Sequence, residues 1–202
     1  MSLARNMSKV DVDGNGYVSQ SSLASIDGSV FSGRLPGTVF PSGSSVQMVS
    51  SLYQWYNSVS LSTSWVDVPN MSLTITPKFD NSKIKVEMRW FGETQTAWDA
   101  VFGITRNNAL INYPQNTSNR NFGLAIPCQT YVADDNNSTP ELAYIYTVDT
   151  PNSRGVPVTY RLVCKCNTTG RTLITGKVFD TGNGGTNYEQ GSCEVILTEY
   201  AF

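Results

Sequence analysis

Histidine is absent from this chain of 202 residues, and charged residues make up only 15% of it. The lack of histidine removes the side chain that proteins use most often as a general base near neutral pH and as a transition-metal ligand. The formal net charge is −2, so the chain lacks the basic surface that nucleic-acid binding requires. We therefore expect neither a nucleic-acid partner nor histidine-based chemistry.

Long apolar runs are absent as well. No run is long enough to cross a bilayer, so we expect no insertion into a membrane. The first ten residues, MSLARNMSKV, lack the apolar core of a secretory signal, so we expect no signal peptide. Without secretion, N-x-S/T sequons such as the one at Asn70 predict little about glycosylation.

Catalytic and zinc-binding patterns are missing too. A Ser or Cys nucleophile would have no histidine to activate it, and no spacing pairs two of the 16 acidic residues as a glycosidase requires. The four cysteines form no C-x-x-C pair, which argues against structural zinc. Cys164 and Cys166 lie two apart in an apparent strand and face the same way. We expect four buried thiols, no resident cofactor and no enzymatic activity.

What the sequence does contain, from Ser45 onward, is a β pattern. In KIKVEMRWF (83–91), apolar residues alternate with charged ones, which predicts a strand with one buried and one solvated face. Turn-rich polar segments separate the strands, and no convincing helix follows residue 40. The predicted fold is all-β, an antiparallel β-sandwich of jelly-roll-like type.

Two hairpins are predicted within this sandwich. One joins MSLTIT (71–76) to residues 83–91 through the turn PKFDNS, and the other joins 98–106 to 109–113 around Asn107 and Asn108. Four further strands are predicted, at 142–150, 157–166, 172–180 and 193–201.

The N-terminal region differs in composition from the rest. Residues 1–36 have little apolar periodicity, and PGTVFPSGSS (36–45) is typical of an extended linker. We expect two parts: a short extended segment at 1–40 and a β-sandwich domain at 41–202.

Three motifs in the predicted sandwich resemble a known family. STSWVDV (62–68), TITP (74–77) and SKIKV (82–86) are similar to strand-turn-strand signatures in the C-terminal knob domains of bacteriophage tail fibres, especially those of cyanophages. The resemblance covers roughly residues 41–202. These signatures are structural and not catalytic.

The resemblance implies a homotrimeric knob on a phage virion, with loops that bind a glycan on the host surface. Only about forty residues precede the knob, where fibres usually carry a long shaft, so a short tail fibre or tail appendage fits better than a long fibre. Residues 1–40 would then anchor the chain to another virion protein. The alternatives are a capsid decoration or cement protein and a carbohydrate-binding module.

The segment DVDGNGYVS (11–19) matches the first half of an EF-hand calcium loop. Asp11, Asp13, Asn15 and Tyr17 occupy ligand positions, but Ser22 stands where a bidentate glutamate is required. Asp and Asn beside Gly also build tight turns without metal. We expect a metal-free turn, and the alternative is a Ca²⁺ site completed by another chain.

Several residues near polar loops are candidates for receptor contact, because ring faces stack on sugars while amides and carboxylates bind sugar hydroxyls. The alternative for the acidic loop is simple solvation, and Trp90 is expected in the core, with Trp55, Trp65 and Trp98 in packing or subunit contacts. The candidates are Tyr113, Tyr131, Asp134, Asp135, Asn136, Asn137, Asn187 and Tyr188.

Overall fold

Eleven β-strands make up the regular structure of the described part of the chain. The computed structural model describes residues 41–95, 100–115, 121–129, 139–179 and 189–202. The predicted anchor at 1–40 lies outside these residues. The strands are β1 (Ser45–Tyr53), β2 (Asn57–Leu61), β3 (Val66–Ile75), β4 (Lys83–Thr94), β5 (Val101–Arg106), β6 (Ala109–Ile111), β7 (Cys128–Gln129), β8 (Glu141–Asp149), β9 (Val158–Lys165), β10 (Arg171–Thr175) and β11 (Cys193–Tyr200).

The strands form two antiparallel sheets. The larger sheet has seven strands: the order β1-β11-β4-β10-β2 forms its main path, β8 pairs with β4, and β7 pairs with β8. The smaller sheet has four strands in the order β3-β9-β5-β6. No helix occurs in the described ranges, and none there could cross a membrane. The predicted antiparallel β-sandwich is confirmed.

The core lies between the sheets and follows the predicted alternation. Ile84, Val86, Met88 and Trp90 on β4 are fully buried, as expected for its apolar face. The Trp90 ring packs against Phe102 of the smaller sheet with centroids 4.9 Å apart. Burial of a large apolar side chain stabilises a fold by roughly 2–3 kcal/mol, so this row ties the two sheets together.

The predicted hairpin between 71–76 and 83–91 is wrong. β3 pairs with β9 in the smaller sheet, whereas β4 pairs with β8, β10 and β11 in the larger one. The segment between β3 and β4 therefore crosses from one sheet to the other. Both strands turn apolar residues to the same core, so alternation alone cannot distinguish a hairpin from such a crossing.

The predicted hairpin around Asn107 and Asn108 is confirmed. β5 pairs with β6, and the two asparagines have φ angles of 48° and 70°. Two consecutive residues with positive φ match the right-handed twist of a two-residue hairpin, and asparagine tolerates that region better than most residues. Asn107 Oδ1 also accepts a hydrogen bond from the backbone N of Thr159 at 2.9 Å, which ties the turn to β9.

The cysteines form no disulfide. Cys164, Cys166 and Cys193 are buried as expected, and burial raises the pKa of the Cys164 and Cys193 thiols. Cys128 is exposed, so its predicted burial is wrong. It lies on β7, a strand of two residues that pairs with β8 at the edge of the sheet. Within the described ranges, no group of three or more Cys, Asp or Glu side chains could hold a metal ion.

The tryptophans divide among three environments. Trp90 is in the core as predicted, and Trp65 is half-buried. Trp55 is 80% exposed, so it does not pack inside this chain, and its role in a subunit contact stays a prediction. Trp98 lies outside the described residues.

Candidate functional site

Tyr113 is the predicted receptor residue that the structure describes. The other predicted positions fall outside the described residues and stay predictions. They are Tyr131, Asp134, Asp135, Asn136, Asn137, Asn187 and Tyr188 for the receptor, and Asp11, Asp13, Asn15 and Tyr17 for calcium.

Tyr113 belongs to an aromatic cluster on the outer face of the smaller sheet, which we define as Trp65, Tyr113, Phe122 and Lys165. The rings of Tyr113 and Phe122 have centroids 5.5 Å apart at 32°, and Trp65 meets Phe122 edge-on at 6.2 Å. Lys165 Nζ stands 3.9 Å from the Phe122 centroid and 4.9 Å from that of Trp65. Phe122 is therefore the centre of the cluster and contacts each of the others.

Strand register explains how these distant residues meet. Val66 pairs with Cys164 across β3 and β9, so Trp65, one residue earlier, lies opposite Lys165. Trp65 also lies close over β5, because a Cβ added at Gly103 would be 3.1 Å from its ring. The absence of a side chain at Gly103 thus lets the indole lie against the sheet.

The cluster covers one end of the outer face of β9. Thr159 and Arg161 on this face are half-buried, whereas Val163 and Lys165 are buried. Lys165 is only 8% exposed, and desolvation lowers the pKa of its ammonium group. Asp67, the acid on the neighbouring strand, pairs with Arg161 at 3.5 Å instead. Within the described part of the chain, Lys165 thus contacts aromatic rings and no carboxylate.

The exposed ring of the cluster is that of Tyr113, which is 46% exposed. An exposed phenol can stack on the C–H face of a sugar, and its hydroxyl can bind a sugar hydroxyl. The nearby cation adds attraction for an anion. These groups equip the cluster to bind a small polar ligand.

The sequence predicts Tyr113 but not Phe122 or Lys165, and it predicts Trp65 in a packing or subunit contact. The alternation in VTYRLVCKC does place Lys165 on the face opposite Cys164 and Cys166. It cannot show that two rings from distant segments cover that lysine, because the contact depends on the pairing of β3 with β9.

A second surface is the outer face of the larger sheet. Six large apolar side chains are exposed there, in two stripes: one on β1 and one on β8. We call this surface the apolar face. The residues are Met48, Leu52, Leu142, Tyr144, Tyr146 and Val148.

A charged strip on β4 lies between the two stripes. Tyr146 and Tyr144 pair in register with Glu87 and Arg89 of β4. Lys85 Nζ forms an ion pair with Glu87 at 2.9 Å, and the Tyr144 hydroxyl donates a hydrogen bond to the Glu87 carboxylate. Partial burial raises the pKa of Glu87, but the hydrogen bonds from Tyr144 and Lys85 outweigh it, so the net shift is downward. Glu87 is thus held as a carboxylate.

Comparison with models of known protein families found no match, and comparison with curated proteins found none. The aromatic cluster and the apolar face are therefore the structural observations that bear on function.

Proposed function

We propose that this chain is a structural protein of a phage virion, a short tail fibre or tail appendage whose trimeric β-sandwich attaches the particle to a glycan on the host surface. The resemblance supplies the biological setting. Its motifs occupy the entry into β3, the end of β3 and the start of β4. The β-sandwich agrees with the fold that the resemblance implies.

The observation that carries the binding part is the aromatic cluster. It combines an exposed tyrosine ring, two supporting rings and a desolvated cation on one outer face. A structural satellite cluster would also bury apolar surface. It would not require a lysine against the rings, where partial desolvation lowers the pKa of the ammonium group.

The trimer part is supported by the apolar face. Its six exposed side chains leave roughly 700 Å² accessible in two stripes, and exposed apolar surface of this extent commonly marks an interface. The two stripes lie on opposite sides of the charged strip. A stripe on β8 of one copy against the β1 stripe of the next is a heterologous contact, and a rotation of 120° between copies closes such contacts into a ring of three.

The mechanism that follows is multivalent attachment. A single aromatic cluster offers few contacts, so its affinity for a sugar is expected to be weak. Three clusters on one knob, and several knobs on one particle, raise the effective affinity by orders of magnitude. The segment 1–40 serves in this proposal as the attachment to the neighbouring virion protein.

Binding of the full chain to an array of bacterial surface glycans tests the proposal. We expect wild type to bind a subset of glycans and Tyr113→Ala to weaken that binding about tenfold, because a stacking contact contributes roughly 1 kcal/mol or more. Tyr56→Ala is the matched control: Tyr56 is also exposed, and its ring contacts a different lysine, Lys177. Failure of wild type to bind any glycan, or equal binding by Tyr113→Ala, would contradict it.

A further inference from the structure

Lys165 differs from every other buried Asp, Glu or Lys in the described ranges. The four buried carboxylates all accept hydrogen bonds: Glu93, Glu141, Asp149 and Glu199. Lys165 is as well buried as Asp149, yet the groups that its ammonium faces among the described residues are the Phe122 and Trp65 rings. An ammonium group has three donors, and no acceptor for them is found among the described residues.

The ring contacts offset only part of the desolvation of this cation. A cation over an aromatic face is attracted by the ring's electrons, but the ring brings no opposite charge to the ammonium. The lowered pKa of Lys165 has the same cause, since desolvation disfavours the charged form. An anionic group brought to the ammonium would supply both the missing acceptor and the missing charge.

The cluster geometry places this cation within reach of a ligand held at Tyr113. Tyr113 and Lys165 contact the same Phe122 ring, at 5.5 Å and 3.9 Å respectively. Trp65 and Phe122 are only half-buried, so the cluster reaches the surface. A sugar stacked on Tyr113 would therefore lie beside Phe122, the ring that Lys165 also contacts.

We propose that the aromatic cluster recognises a carboxylated sugar, such as a uronic acid, with Tyr113 stacking on the ring and Lys165 binding the carboxylate. The Lys165 ammonium is a point charge with three donors, and a carboxylate can accept a charge-assisted hydrogen bond from it. The assignment rests on the proposed glycan attachment, and it adds the class of sugar.

The test compares uronic-acid polysaccharides with their carboxyl-reduced forms on the same array, using the full chain. We expect wild type to bind the acidic form at least tenfold more tightly than the reduced form. Lys165→Met keeps an unbranched apolar side chain against the rings and removes the charge. We expect it to lose this preference while keeping the weak binding to the reduced form.

The control is Lys177→Met, which removes another lysine that contacts a ring, that of Tyr56. It is expected to keep the wild-type preference. Equal binding of acidic and reduced glycans by wild type would overturn the role of Lys165 and leave glycan attachment in place. This comparison uses the wild-type protein alone, so it does not depend on the folding of a variant. An unchanged preference in Lys165→Met would also overturn it. Absence of binding to every glycan would remove both proposals.

Discussion

Glu199 is a fully buried carboxylate that holds the connection between the two sheets. It accepts hydrogen bonds from the backbone N of Lys78 at 2.7 Å, from that of Phe79 at 3.2 Å and from the Ser82 hydroxyl. We expect Glu199→Ala to lower the free energy of unfolding by about 3 kcal/mol or more, because it leaves buried donors without an acceptor. Urea denaturation measures this. Glu194→Ala, on the outer face of the same strand, is the control and should change stability by about 0.5 kcal/mol or less.

A loss below about 1 kcal/mol in Glu199→Ala would show that the connection does not depend on this carboxylate. Sequence reasoning gave no hint of this role. Glu199 lies within an ordinary alternating strand, and its partners come from a turn more than a hundred residues earlier.

The cysteines make a second prediction at the residue scale. Only the thiolate reacts with thiol reagents, and burial raises the pKa of Cys164 and Cys193 and blocks access. We expect one thiol, that of Cys128, to react in the folded protein, and all four to react after denaturation. Mass spectrometry after brief labelling counts the modified sites. Rapid labelling of the native Cys128→Ser variant would contradict the burial of the other three.

At the scale of elements, the β5–β6 hairpin offers a matched pair of substitutions. Asn107 and Asn108 both have positive φ, but Asn107 also accepts a hydrogen bond from Thr159 N. We expect Asn107→Ala to lower the free energy of unfolding by about 1–2 kcal/mol, since it adds backbone strain and loses that bond. Asn108→Gly removes the backbone strain of a positive φ at this position, but it loses the hydrogen bond that Arg161 donates to the Asn108 side chain. We therefore expect the free energy of unfolding to change by roughly 0.5 kcal/mol or less. Thermal or urea unfolding of both variants measures the difference, and equal effects would contradict this turn geometry.

Alternation predicted the elements well where one face of a strand is polar. In β4 the lysines, glutamate and arginine on the outer face made the pattern evident. In β1 and β8 apolar residues occur on both faces, so the pattern identified a strand in 142–150 but not which face is exposed. The pairing of strands was predictable only for a tight turn such as Asn107–Asn108. The aromatic cluster depends on the long-range pairing of β3 with β9, so the sequence predicts a binding role for Tyr113 alone among its members.

At the scale of the whole molecule, the outer face of β8 is the more apolar of its two faces, and we expect a partner to cover it. Its inner face meets the core, while Tyr144, Tyr146 and Val148 on its outer face remain exposed in the isolated chain. Exposed apolar surface of this extent commonly marks an interface. We expect Tyr146→Asp to prevent the proposed trimer from forming, because it places a second carboxylate beside Glu87 and removes an exposed aromatic ring. Val156→Asp, similarly exposed but outside the apolar face, is the control.

The molar mass of the full chain in solution, measured by light scattering, tests the central claim of multivalent attachment most directly. The predicted mass is that of three chains of 22.1 kDa each. A calcium chelator should leave this mass unchanged, because residues 11–17 are predicted to form a metal-free turn. The Tyr146→Asp variant should have the mass of a single chain. A wild-type mass of a single chain would contradict the self-assembling knob. A trimer that dissociates with chelator would keep the knob and make calcium part of its structure.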